Sequence, residues 1–140
     1  MKKILFLHGF YASGQCVPAL AFRECFDGRA KVLTPDLPMH PKEAICFIRE
    51  MIDHEQPDLL IGNSCGSFYG QMIAPLVGIP ALLGNPHFQM TAFLKQRIGE
   101  HYNQSYHFPG GHTPTAEEVR NWYVPLAEKL LLARNESHTH

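Results

Sequence analysis

The sequence predicts one α/β domain, a mostly parallel sheet with helices on both faces. Three observations predict it. Short apolar runs of strand length alternate with stretches whose apolar residues recur at helical spacing. Gly and Pro punctuate the joints between them. A G-x-S-x-G motif, Gly62-Asn63-Ser64-Cys65-Gly66, stands between one such strand and one such helix.

Ile4–Leu7 reads as the first strand. Its apolar run stops at His8-Gly9, too short for a secretory segment or a membrane span. The loop His8–Gly14 leads to a helix over Gln15–Phe26, closed by the Asp27-Gly28 turn. Lys31–Thr34 is the second strand, stopped by Pro35-Asp36-Leu37-Pro38. Pro41 suits a first helical position, and Ala44, Ile45, Ile48, Met51 and Ile52 then form an apolar face. Pro57 ends that helix, and Asp58–Ile61 has a buried-strand pattern.

Ser67–Ala74 reads as the helix after the motif, broken at Gly78-Ile79-Pro80, with a strand over Ala81–Asn85. Phe88–Ile98 reads as a helix and Ser105–Phe108 as a last short strand. Thr115-Ala116-Glu117-Glu118 is a capping box that opens a terminal helix. Val119, Trp122, Tyr123, Leu126 and Leu130 line its apolar face, and Pro125 is expected to kink it. The domain then covers residues 1–134, with 135–140 a disordered tail.

At 140 residues the chain can bury a core of its own. It is 45% hydrophobic and 18% charged, with a formal net charge of −1 and scattered Lys and Arg, so neither a nucleic-acid nor a membrane partner is expected. Cys16, Cys25, Cys46 and Cys65 show no C-x-x-C spacing. Neither a disulfide framework nor a metal site is expected, and a reducing, cytoplasmic setting fits.

Strand, sharp turn and helix are the context that makes G-x-S-x-G a nucleophile elbow. Ser64 would stand at a helix N-terminus, where unpaired N–H groups favour developing negative charge. A serine needs a base, and in this arrangement the base is a histidine on a late loop. Among nine histidines, His112 fits, after Gly110-Gly111 and before the terminal helix. The oxyanion needs two backbone donors, expected from Cys65, the residue after the serine, and from Phe10 in the first loop. His8 reads as a brace for that loop, and the Cys65 thiol as a bystander. Chain order places the triad acid between Ser64 and His112, where Glu100 is the one acidic residue. Asn85, at the end of its strand, occupies an alternative position, so the acid stays open.

The series is also familiar as a whole. Leu7-His8-Gly9-Phe10 with Ser13, Thr34-Pro35-Asp36-Leu37-Pro38, Pro41 and Ala44, Ile61–Gly66 with Tyr69, and Gly78-Ile79-Pro80-Ala81 through Asn85-Pro86 recur in one order. Together they resemble the small α/β-hydrolases of the YqiA/YcfP-like esterase family, from residue 3 to about 98 and again at Phe108–His112. The resemblance implies an α/β-hydrolase-like fold and a Ser-Asp-His triad with Ser64 as nucleophile and His112 as base. Phe10 and Cys65 match its oxyanion positions. It also implies a further strand, an Asp-bearing loop and a helix between Ile98 and Tyr106, where this chain has only a few residues. By the usual size of such a unit, the acid-bearing strand unit lacks about 40 to 50 residues here. Deleting a sheet strand with its covering helix would expose core, which favours a sequence from which the unit is left out.

The expectation is therefore a serine hydrolase that cleaves small carboxylic ester or thioester bonds through an acyl-enzyme, without cofactor. Its partner would be a small-molecule acyl ester or thioester. The alternative is a non-catalytic, hydrolase-like ligand-binding protein with an incomplete triad, since loss of the triad carboxylate can cost about 10⁴ in turnover. An enzyme using the Cys65 thiol is a third reading.

Overall fold

The computed structural model describes residues 1–9, 12–84, 105–108 and 113–138, with the side chains of residues 65, 105–108 and 134–138 outside that description. β1 (Lys2–Leu7) sends alternate side chains to opposite sides of the sheet, so Ile4 and Phe6 enter one core and Leu5 and Leu7 another. β3 (Leu59–Asn63) and β4 (Ala81–Gly84) do the same: Leu59, Ile61 and Leu82 face one side, and Leu60, Ala81 and Leu83 the other. Strands buried on both faces must be apolar throughout, which is why they read as continuous runs. With β2 (Ala30–Leu33) and β5 (Ser105–Phe108) they form a five-stranded sheet in the order β2-β1-β3-β4-β5, with every pairing parallel.

α1 (Val17–Cys25) and the terminal helix α4 (residues 116–138) cover the first face, where Phe22 stacks edge-on against Tyr123. α2 (Pro41–Glu55) and α3 (Cys65–Val77) cover the second, through Ala44, Ile48 and Ile52 of one and Tyr69, Ile73 and Ala74 of the other. Each of these large aliphatic side chains contributes about 1.5–3 kcal/mol by leaving water. Helices thus lie on both faces, as the alternation of patterns implied.

Element boundaries shift at several joints. α1 starts at Val17 rather than Gln15, because Pro18 belongs in a first turn. β2 begins and ends one residue early, and β3 starts after Asp58, whose carboxylate accepts a hydrogen bond from the Lys3 N–H at 3.0 Å. α2 ends at Glu55, with Gln56 turning to φ 51° before Pro57. α3 begins at Cys65, two residues before the expected start, and keeps Pro75 in its last turn. β4 ends at Gly84. Asn85 and the expected helix Phe88–Ile98 lie outside the described residues.

The largest difference is in α4. It opens with Ala116–Glu118, widens into a π-turn over Val119–Tyr123, and continues as Val124–His138. The Val124 N–H donates to the carbonyl of Val119, five residues back. That extra residue per turn rotates the helix face, so Trp122 is 55% exposed rather than core, and Val124, Ala127 and Leu131 are buried instead. The disturbance expected at Pro125 thus takes the form of a wide turn just ahead of it. With no Gly or Pro after Pro125, the helix also runs past residue 134, where the sequence placed the end of the domain.

β5 pairs directly with β4, Gly84 lying opposite Phe108. The sheet is therefore continuous from β2 to β5, and no strand vacancy separates β4 from β5.

Candidate functional site

Ser64 sits between the last residue of β3 and the first of α3, with φ 55° and ψ −114°. A non-glycine residue at positive φ outside the left-handed helical well is strained by about 1–3 kcal/mol and persists only where its surroundings enforce it. Those surroundings are specific. The Ser64 N–H donates to the Gly84 carbonyl at 3.0 Å, and the Ser64 carbonyl accepts the Phe68 N–H at 3.2 Å as the first bond of α3. The Ser67 hydroxyl donates to the same Gly84 carbonyl.

The two motif glycines are required by approach of backbone to backbone. A Cβ at Gly62 would lie 2.5 Å from the Gly66 carbonyl oxygen, and one at Gly66 would run into the carbonyl of Leu7 at the end of β1. The start of α3 is thereby clamped between β1 and β3. Gly9 extends the clamp: a Cβ there would stand 3.2 Å from Ser64 Cβ and 3.3 Å from the Asn63 carbonyl oxygen. The first loop is thus packed against the serine.

That loop is braced by His8, which is 8% exposed. The Leu37 N–H donates to His8 Nε2 at 2.8 Å, so Nε2 is the acceptor, and Nδ1, 2.8 Å from the Gly9 carbonyl, carries the proton. Both ring nitrogens are engaged, which agrees with the bracing role read from the sequence and leaves neither to act as a base. A second tether joins the same loops, where the Gly14 N–H donates to Asp36 Oδ1 at 2.7 Å.

The structure brings together Ser64, Gly9 and the backbone of Cys65, the first residue of α3. Phe10, Glu100 and His112 lie outside the described residues, as does Asn85. The flanks of His112 are described: β5 ends at Phe108, at the same carboxyl end of the strands as Ser64, and the chain resumes at Thr113 ahead of α4. Sequence reasoning missed Ser67 and Gly84. A serine three residues past the motif and a strand-terminal glycine carry no signal until their contacts are seen. Among the described residues no group of His, Cys, Asp or Glu could hold a metal ion. Cys16, Cys25 and Cys46 are free thiols, and burial pushes the Cys16 thiol above its usual value. No helix among the described residues is long and apolar enough to cross a membrane.

Fold and site together define a parallel α/β protein with a strained serine at a strand–turn–helix junction. The chain belongs to the uncharacterised protein family UPF0227, the YqiA/YcfP family, which it matches over residues 3–137. No curated protein matches it significantly. Its fold is similar to the crystal structure of NosK from Streptomyces actuosus, with a TM-score of 0.56 at 16% identity over 74% of this chain and 60% of NosK. The chain thus spans less than two thirds of NosK, and at that identity the likeness concerns fold alone. MurG of Acinetobacter baumannii aligns over 84% of this chain and 47% of its own, at 16% identity and a TM-score of 0.46, too low to bear on the fold.

Proposed function

We propose that the protein is a serine hydrolase of the α/β-hydrolase type, cleaving small carboxylic esters or thioesters. The observation that carries this reading is the backbone of Ser64, held at φ 55° and ψ −114° between β3 and α3. A strained turn of this kind presents a serine hydroxyl at the end of a sheet strand and aims the first N–H groups of a helix at the atoms it attacks.

In this reading the Ser64 oxygen attacks the substrate carbonyl carbon while its proton passes to His112. The negative charge that develops on the carbonyl oxygen is met by the N–H groups of Cys65 and Phe10. As the tetrahedral intermediate collapses, the bond to the alcohol or thiol breaks and the leaving group takes the proton from His112. Water then attacks the acyl-Ser64 ester, giving up a proton to His112. The bond between the acyl carbon and the Ser64 oxygen then breaks, His112 passes the proton taken from water to that oxygen, and the carboxylic acid leaves. The packing of Gly9 against Ser64 supports Phe10 as a donor, since Phe10 is the next residue along that loop. The ending of β5 beside Gly84 supports His112, which follows four residues later. Glu100 is the acidic candidate for orienting His112 by chain order alone.

The test is hydrolysis of short-chain p-nitrophenyl esters and acyl thioesters by the wild type, Ser64→Ala and His112→Ala. Wild-type turnover reduced at least 10³-fold in both variants is expected. Wild-type turnover retained by Ser64→Ala would remove Ser64 from the reaction, and retention with loss in Cys65→Ala would give it to the thiol. Ligand binding without turnover by the wild type would instead favour a non-catalytic binding protein.

A further inference from the structure

Tyr123 lies on the opposite face of the sheet from α3, yet it reaches Gly84 at the end of β4. It is 5% exposed and stacks edge-on against Phe22, with ring centroids 6.1 Å apart. A Cβ built at Gly84 would lie 2.7 Å from the Tyr123 hydroxyl oxygen, 3.1 Å from Cε1 and 3.2 Å from Cζ. The hydroxyl-bearing edge of the ring therefore fills the space where residue 84 would carry a side chain. The carbonyl of Gly84 is the point on which the turn hangs, accepting both the Ser64 N–H and the Ser67 hydroxyl. Tyr123 ends the π-turn and stays buried there, while the widened turn sends its neighbour Trp122 out to solvent. Burial, with Glu118 adding a smaller push, raises the Tyr123 hydroxyl to about 12.

We infer that Tyr123 is a positioning residue for Ser64, acting through Gly84: its ring edge fixes the strand end whose carbonyl holds the strained turn. The inference rests on Ser64 being the nucleophile only for its activity readout.

A size-exchange cycle tests it, read as the second-order rate of labelling by a fluorophosphonate. Gly84→Ala adds a methyl where the hydroxyl stands and is expected to slow labelling about tenfold or more. Tyr123→Phe opens a gap there and is expected to slow it about threefold. The double variant, in which the methyl occupies the vacated space, is expected to label faster than Gly84→Ala alone, with thermal midpoints of all three within the folded range. A double variant slower than Gly84→Ala by the full Tyr123→Phe factor would overturn the inference, as would wild-type labelling by Gly84→Ala. A second measurement is independent of any hydrolase activity and of whether Gly84→Ala folds. In Tyr123→Phe, exchange of the Ser64 amide hydrogen is expected to quicken several-fold relative to that of Ile61. Unchanged relative protection would overturn the inference. Failure of the wild type to label at all would count against the hydrolase reading, and the exchange measurement would still decide the role of Tyr123.

Discussion

Two of the described helices begin immediately after a hydroxyl residue, and the two residues behave in opposite ways. Thr115, ahead of α4, has an ordinary extended backbone at φ −78° and ψ 164°. Its hydroxyl accepts the Glu118 N–H at 3.1 Å, and its own N–H donates to Glu118 Oε1 at 3.1 Å. Ser64, ahead of α3, is at φ 55° and makes no side-chain cap. At Thr115 the hydroxyl serves the helix and local geometry is relaxed. At Ser64 the backbone is strained, the hydroxyl is withheld from capping, and stability comes from Gly84, Gly66 and Gly9 around it. The difference separates a residue that makes its helix from one that its surroundings hold in place.

The sharpest way to break this contrast is Gly66→Ala. In an open helix the change would be favourable by roughly 1 kcal/mol. Here the methyl meets the Leu7 carbonyl, and a loss of about 3 kcal/mol is expected in urea unfolding. A gain in stability would show that β1 does not clamp the turn. Next in size is a pair of opposite signs. Thr115→Ala is expected to lose about 1 kcal/mol and leave fluorophosphonate labelling intact. Ser64→Gly is expected to gain about 0.5–1 kcal/mol through release of strain and to abolish labelling. Equal signs in the two variants would erase the distinction.

Smaller effects lie at the extremes of pH. The Tyr123 hydroxyl is raised in the folded protein, to about 12 from 10, so its contribution is complete below pH 10 and is lost as pH rises toward 12. Thermal midpoints of Tyr123→Phe should therefore fall less steeply than those of the wild type over that interval. At the other end of the strands, Lys3 Nζ lies 3.1 Å from Glu55 Oε2, and this hydrogen bond holds the Glu55 carboxyl below its usual 4.5. Its stabilisation is present above pH 4.5 and disappears as the folded carboxyl protonates in acid. Glu55→Gln should show a slightly lower midpoint than the wild type at neutral pH and none of that deficit in acid.

The contrast between the two caps also marks what could be read in the sequence. The capping box at Thr115 is a local pattern, so four residues suffice to find it. The strands β1, β3 and β4 were legible because burial on both faces leaves no alternative to a continuous apolar run. The strand–turn–helix setting of Ser64 was legible as a motif, whereas the early start of α3 was not: Gly66 discourages a helix locally, and only the approach of the Leu7 carbonyl explains its presence. Trp122 was placed in the core because a regular helical period was carried through a π-turn, and the widened turn sends it to solvent. Gly84 and Tyr123 are far apart in sequence and meet only through the order of the strands.

The central claim is that the strained serine is a nucleophile. The direct measurement is to react the protein with a fluorophosphonate and locate the adduct by peptide mass spectrometry. The account predicts one stoichiometric adduct on Ser64, absent from Ser64→Ala. An adduct on another residue, or no adduct on a folded wild-type protein, would contradict it.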